Sequence, residues 1–384
     1  MSTLQVGHAR RCVTPPLGIK MSGYGQRTEG AQEVHDDLFV DAVALQATGT
    51  TLLLLAYDLI SFNNDLAAEI KGAISAKTGL SPEQMLLNTS HTHAGPRVSA
   101  YRDEGVDSGY RSRVGEESAA AAVAALADFA PAEFSCGHAP LDIGCNRREH
   151  TPDGVILGHN PDGPTLKEVT VWRFARQDAP DVVLFSLPMH GTTLGGQNLT
   201  LSAEWMGAAK AHLEADLPDT RAVFLQGCGA DQDPYYSKVN GVRGTFEEVE
   251  QHGRDAATSV EAALQNLRPL NPLPIRTARR DVVLPAKEDA AKTRELALRG
   301  WRLGDAILLT LGAEAFVEFA LFGRAQSPCA ETLVLGYSDG NIGYLCTPEV
   351  YEEGGYEANT TGVAPEGEKI TKAAMQEMLQ ELWA

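Results

Sequence analysis

The sequence has no apolar run long enough to cross a membrane. Its longest, Leu52-Leu53-Leu54-Leu55-Ala56-Tyr57, falls far short of the ~20 residues that a spanning helix needs. Basic residues are in deficit, with 32 Lys and Arg against 51 Asp and Glu for a formal net charge of −19. Such a field repels nucleic acid and anionic membrane surfaces, which excludes both as the main partner. Cysteine is sparse and scattered at Cys12, Cys136, Cys145, Cys228, Cys329 and Cys346, with no Cys-x-x-Cys. That pattern excludes a dense disulfide framework and reads as reduced thiols in a cytoplasmic enzyme, with packing as the role of Cys228 and Cys346. Residues 1–12 lack an apolar segment followed by a small-residue cleavage site, so no secretory signal is expected. Internal repeats and low-complexity linkers are missing too. What remains is 384 residues, 43% of them apolar, enough for a sizeable core.

The order of elements points to an α/β fold, a single compact catalytic domain over residues 1–384 with mixed β-sheets flanked by helices. Residues 38–45 and 52–57 read as strands joined through Gly49. Leu66, Ile70 and Ile74 carry helical spacing over 65–77, and a short buried strand follows at 84–88. Strand, helix and strand in this order predict a βαβ unit, and open sheets place ligands at the C-terminal ends of such strands. An Ala-rich helix is expected near 111–127, a strand at 133–137 and an exposed loop at 151–165, where Gly, Asp, Asn and Pro crowd together. Strands at 169–174 and 182–187, a helix at 203–215 and a strand at 222–225 come next. After a helix at 246–264 come strands at 274–285 and 305–311, and Gly312-Ala313-Glu314 is read as opening a further helix.

The most informative stretch is Asn88-Thr89-Ser90-His91-Thr92-His93-Ala94-Gly95-Pro96. If it is still extended, side chains two apart lie on one face, and both imidazoles enter one pocket. A His-x-His pair at a strand end suits a transition metal, yet by spacing alone two ordinary polar loop residues fit equally well. Other polar residues are read at strand ends: Arg147, His190 after residues 182–187, Asp231 and Asp233 in a Gly-rich turn, and Glu314; the C-terminal region adds Tyr344 and, twelve positions on, Tyr356. Singly, His190 is an ordinary strand-end histidine, Glu314 a carboxylate complementing a helix dipole, with Glu318 competing, and the tyrosines half-buried aromatics.

Taken in this order, these residues resemble the neutral (alkaline, non-lysosomal) ceramidase family, zinc-dependent amidases that cleave an N-acyl bond. Thr14-Pro15-Pro16-Leu17-Gly18, Gly23-Tyr24-Gly25 and His35-Asp36-Asp37-Leu38 are similar to the family's opening pattern. Ser90-His91-Thr92-His93-Ala94-Gly95-Pro96 is similar to its most specific motif. The resemblance implies a Zn2+ cofactor with His91, His190, Glu314 and Tyr344 as ligands. It implies His93 facing the substrate, Arg147 in the active site, and Tyr356 with Glu357 facing the carbonyl oxygen. Where the family has Gly-Asp-x-Ser-Pro, this chain has Ala230-Asp231-Gln232-Asp233-Pro234, which excludes that serine as a nucleophile and puts Asp233 in its place as a base or a substrate contact. By the same resemblance the chain is expected to correspond to the family's catalytic domain, without the C-terminal immunoglobulin-like domain.

The expected chemistry is attack of zinc-bound hydroxide on an amide carbonyl. Tyr356 would stabilise the oxyanion, His93 would orient a hydroxyl or move the leaving-group proton, and Arg147 would hold a polar or anionic part of the substrate. The acidic surface favours a small, soluble substrate. A lactonase or esterase would use the same site. A non-catalytic zinc-binding protein would close it with four protein ligands, and an amidohydrolase-type barrel would need a different ligand order. His8, His138, His150, His159, His212 and His252 read as surface or structural.

Overall fold

The computed structural model describes residues 3–99, 106–235, 244–289 and 291–384. Its centre is a large mixed sheet whose main path runs through Thr220–Gln226, Asp181–Leu187, Glu168–Arg176, Ala130–Pro140, Gln5–Cys12, Phe39–Ala47, Thr50–Tyr57 and Met85–Thr89. The outermost pair at each end is parallel and the interior pairs are antiparallel. This follows from the connections. Strands 39–47 and 50–57 are joined by the two-residue turn Thr48-Gly49, both residues at positive φ, as a tight hairpin requires. Each parallel pair is joined through a helix, Asn64–Thr78 at one edge and Glu204–Asp216 at the other, because a parallel pair needs a crossover.

The strands are apolar on both faces because both faces are covered. Val40, Ala42, Leu53, Leu55 and Leu87 pack in one core cluster, which also takes in residues of helices Asn64–Thr78 and Ser108–Ala127. Farther along the same sheet, Val171, Phe185 and Phe224 share a cluster with residues of helices Glu204–Asp216 and Phe246–Leu264. The alternate residues, including Val43, Leu54, Leu86, Trp172 and Leu184, meet Trp301, Leu308 and Leu333 of a second sheet. That sheet is ordered Ile275–Pro285, Thr293–Leu303, Ala306–Leu311, Glu331–Leu335, and its far side packs with residues of helices Val317–Gln326 and Glu366–Trp383. The result is the expected α/β arrangement of mixed sheets flanked by helices. No described helix is long and apolar enough to cross a membrane.

Three expectations change. Residues 151–165 are not simply a loop, because Gly154–Asn160 pairs antiparallel with Gly144–Thr151 around Gly154 at φ 118°. The turn-forming residues that suggested a loop are the hairpin's turn. Glu314 opens no helix: Glu314–Ala315 pairs in parallel with Tyr344–Leu345, and the helix starts only at Val317. His91 is not extended, since the strand ends at Thr89 and His91 sits at φ 61°.

One contact positions the functional site. The two edges of the large sheet, far apart along its path, curl until Asn88 on one meets Gln226 on the other. The Asn88 amide oxygen accepts from Gln226 N at 2.8 Å, and its nitrogen donates to Gln226 O at 3.3 Å and Gly336 O at 2.9 Å. A side-chain amide thereby supplies what a backbone ladder would. Just beyond it, Thr92 and Gly191 form an isolated parallel bridge. Both βαβ units thus deliver their strand ends to one place.

Candidate metal centre

His91 and His190 arrive from opposite edges of the sheet and are held in the same way. His91 Nδ1 donates to Ile60 O at 2.8 Å, and His190 Nδ1 donates to Gly229 O at 2.6 Å. A carbonyl can only accept, so the proton is on Nδ1 in both rings and each Nε2 offers a lone pair inward. The left-handed backbone at His91 turns the ring in, and its N–H is anchored on Leu59 O. Such a conformation is uncommon for a residue with a Cβ and persists only where the surroundings fix it. His190 is fixed further by Trp205, whose Nε1 donates to His190 O at 2.9 Å. The Tyr337 ring lies over His91 with centroids 4.2 Å apart.

His93 joins them differently. Its Nε2 lies 3.1 Å from His91 Nε2, and ligand atoms of His91, His93 and His190 all fall within 4.8 Å of one another. Its Nδ1, however, is buried without a hydrogen-bond partner. Gly23, at φ 92°, lies against this ring, and a Cβ there would stand 2.6 Å from His93 Nδ1. The Gly23-Tyr24-Gly25 motif is thus a cradle for His93, with the Tyr24 ring edge-on at 5.2 Å. Burial first, then the neighbouring His91 and His190, hold His93 well below the ordinary histidine range. Burial, then Arg147 and His91, lower His190 to about 3.

Oxygen donors come from a separate two-stranded bridge, Glu314–Ala315 with Tyr344–Leu345. Glu314 and Tyr344 are directly paired across their two-residue bridge. Glu314 Oε2 reaches within 3.4 Å of His91 Nε2. Burial raises the Glu314 carboxyl, but His91, His190 and Arg147 outweigh it and leave it at about 2. Glu318 lies in the first turn of the following helix, with Lys372, Glu349, Glu368 and Asp231 among its electrostatic neighbours.

Arg147 is the hub behind these groups. Its Nη1 donates to Asp233 Oδ1 at 3.1 Å and to His190 Nε2 at 3.3 Å, its Nη2 to Tyr344 Oη at 3.1 Å, and its Nε to Glu357 Oε1 at 2.7 Å. The guanidinium expected to hold substrate is therefore bonded to protein, and it occupies the lone pair of His190 as a cation would. Arg148 also reaches Glu357, at Oε2 and 2.7 Å. Neighbouring strand residues ordinarily point to opposite faces, and a register shift between Asn146 and Arg148 lets both serve one carboxylate. Asp233 lies on the Nδ1 flank of His190, 3.8 Å away, and also accepts from Thr192. Tyr356 stands at the rim, its ring 5.8 Å from that of Tyr344. Exposure rises from 0% at His190 through 8% at Tyr344 to 46% at Tyr356, so the centre opens on the Tyr356 side.

No protein-family model and no curated protein matches the sequence. Solved structures do. Neutral ceramidase from Pseudomonas aeruginosa superposes with a TM-score of 0.85 at 16% identity, covering 100% of this chain and 75% of that one. The fold is that of neutral ceramidase. A ceramidase complexed with C2 gives a TM-score of 0.86 at 16% identity, covering 100% of this chain and 76% of that one. On this neutral ceramidase fold the structure gathers His91, His93, His190, Glu314, Tyr344, Arg147, Asp233 and Tyr356 in one neighbourhood. The donor set fits a zinc ion: anchored imidazoles, a carboxylate, a phenol and an open side. Sequence reasoning missed Asn88, Arg148, Trp205 and Tyr337 as supports. Only the Arg147-Arg148 doublet carried a signal, two adjacent cations in a strand that proves fully buried there.

Proposed function

We propose that this protein is a zinc-dependent hydrolase that cleaves an amide (N-acyl) bond in a small, soluble substrate. The observation that carries the reading is the convergence of two carbonyl-anchored histidines, His91 and His190, beside Glu314, whose Oε2 lies 3.4 Å from His91 Nε2, and its bridge partner Tyr344. Those four residues would hold the metal. Bound there, zinc would supply Lewis acidity and a water whose pKa falls toward about 7.

The protein's residues supply positioning and proton transfer. His93 has no anchor on Nδ1, which suits a ring that must turn toward substrate better than a ligand that must stay fixed. Held neutral, it can take a proton from a substrate group at Nε2 and return it to the leaving amine. The Tyr356 hydroxyl, at the open side, donates to the carbonyl oxygen as negative charge develops there. Arg147 orients Tyr344 and Asp233, and Asp233 steadies the flank of His190. The deciding experiment is a turnover screen of zinc-loaded protein on N-acyl amines, N-acyl amino acids, ceramides and lactones. Hydrolysis of a soluble N-acyl compound is expected. Turnover of lactones alone would replace the amidase reading with an esterase one, and metal retained without any turnover would point to a binding protein.

A further inference from the structure

A second group of donors lies at the margin between the two sheets. Cys136 and His138 are two apart on strand Ala130–Pro140 and therefore share a face. Glu331 starts strand Glu331–Leu335 of the other sheet. Ligand atoms of the three fall within 4.8 Å of one another, compared with the ~3.5 Å separations expected around a tetrahedral zinc with bonds of 2.0–2.3 Å. His138 Nε2 is 3.0 Å from Glu331 Oε2.

Each donor is aimed by a partner behind it. His138 Nδ1 bonds Glu168 Oε1 at 3.0 Å, a carboxylate on the imidazole's far nitrogen, as is usual behind a metal-bound histidine. Trp172 Nε1 donates to Glu331 Oε1 at 2.9 Å, which leaves Oε2 to face Cys136 and His138. Cys136 and Glu331 are each 1% exposed. Into this group reaches Arg268, with Nη2 3.4 Å from Cys136 Sγ and 3.6 Å from Glu331 Oε2. The Arg268 side chain is 53% exposed, so it can swing into solvent. Its guanidinium stands where a cation would neutralise the site.

We infer that Cys136 Sγ, His138 Nε2 and Glu331 Oε2 form a second binding site for a zinc-class divalent cation, with solvent as the fourth ligand. Thiolate and imidazole donors select zinc or cobalt over calcium and magnesium. On binding, the Cys136 thiol and the His138 imidazolium each release a proton to solvent, and Arg268 leaves. The thiolate and carboxylate then balance the two positive charges of the ion. The cation would bridge the two sheets at their open margin, and the site does not depend on the hydrolase reading.

The test is titration of the metal-stripped full-length protein with cobalt(II), read by thiolate-to-cobalt charge transfer in the near ultraviolet. The donors around His91 include no sulfur, so this band reports the second site alone. One equivalent should saturate it, and zinc should displace it. Cys136→Ser should abolish it, and His138→Gln, at a surface position that leaves folding intact, should weaken binding at least tenfold. Arg268→Ala should tighten binding. Absence of the band in the wild-type protein at excess cobalt, or its survival in Cys136→Ser, would overturn the assignment.

Discussion

The two βαβ units at opposite edges of the large sheet solve one problem in two ways. The unit of residues 50–89 turns its first histidine inward through a left-handed backbone at His91. The unit of residues 181–226 leads into His190 through Pro188 and fixes it with Trp205 from its own crossover helix. Both put Nδ1 on a backbone carbonyl. Only the first brings an additional imidazole, His93, to the site, and that ring has no such anchor. The lesson is that nearness to a metal position does not separate these histidines, whereas the groups behind each ring do.

The largest test of this comparison is to remove an anchored ring from either unit. His91→Ala and His190→Ala should each lose bound zinc and all turnover, and elemental analysis showing full metal in either variant would break the equivalence of the two units. His93→Ala should keep its metal and lose about 10²–10⁴-fold in kcat. Loss of zinc from it would instead make the three histidines equivalent. Next comes the hub between the units. Arg147→Met removes a charged partner from Asp233 and Glu357, both 1% exposed or less, and should lower stability by about 3–5 kcal/mol in urea denaturation. Asn88→Ala leaves Gln226 N without its acceptor at the seam and removes one of two donors from Gly336 O, at roughly 1–3 kcal/mol. It should loosen zinc without removing any ligand, so unchanged zinc affinity would show that the seam does not set the site.

A separate test uses pH. Helix Asn64–Thr78 is capped by the neutral Asn63, whereas helix Glu204–Asp216 begins with Glu204, which is buried at φ 59° and accepts from Leu194 N. Burial raises the Glu204 carboxyl to about 7, above the unfolded value near ~4.3. The folded chain then holds a proton that the unfolded chain has released. This contribution is complete below about pH 4 and is lost as pH rises to about 7, on the order of 3 kcal/mol. Glu204→Gln should flatten that part of the stability profile, and an unchanged slope would remove Glu204 as its source.

Local pattern was legible where one element decides it. The first parallel crossover, the Ala-rich helix and the buried strands follow from apolar spacing that burial on two faces preserves. The failures are equally physical. Gly154 marks a hairpin turn rather than a loop because its partner strand, Gly144–Thr151, supplies the ladder. Glu314 sits in a two-residue bridge because Tyr344 lies opposite, a pairing thirty positions away that helix propensity does not register.

For the site, the sequence by itself supplied the candidate donors, their order and the placing of His91, His93 and His190 just past strands, since His-x-His and the strand-end histidine are local patterns. Only tertiary structure decided that they meet. The sheet curls until Asn88 joins its two edges, an antiparallel bulge turns Arg147 and Arg148 to one carboxylate, and backbone carbonyls select which nitrogen of His91 and His190 faces inward. Each of these is a hydrogen bond between segments far apart in the chain, formed because a buried polar group must find a partner.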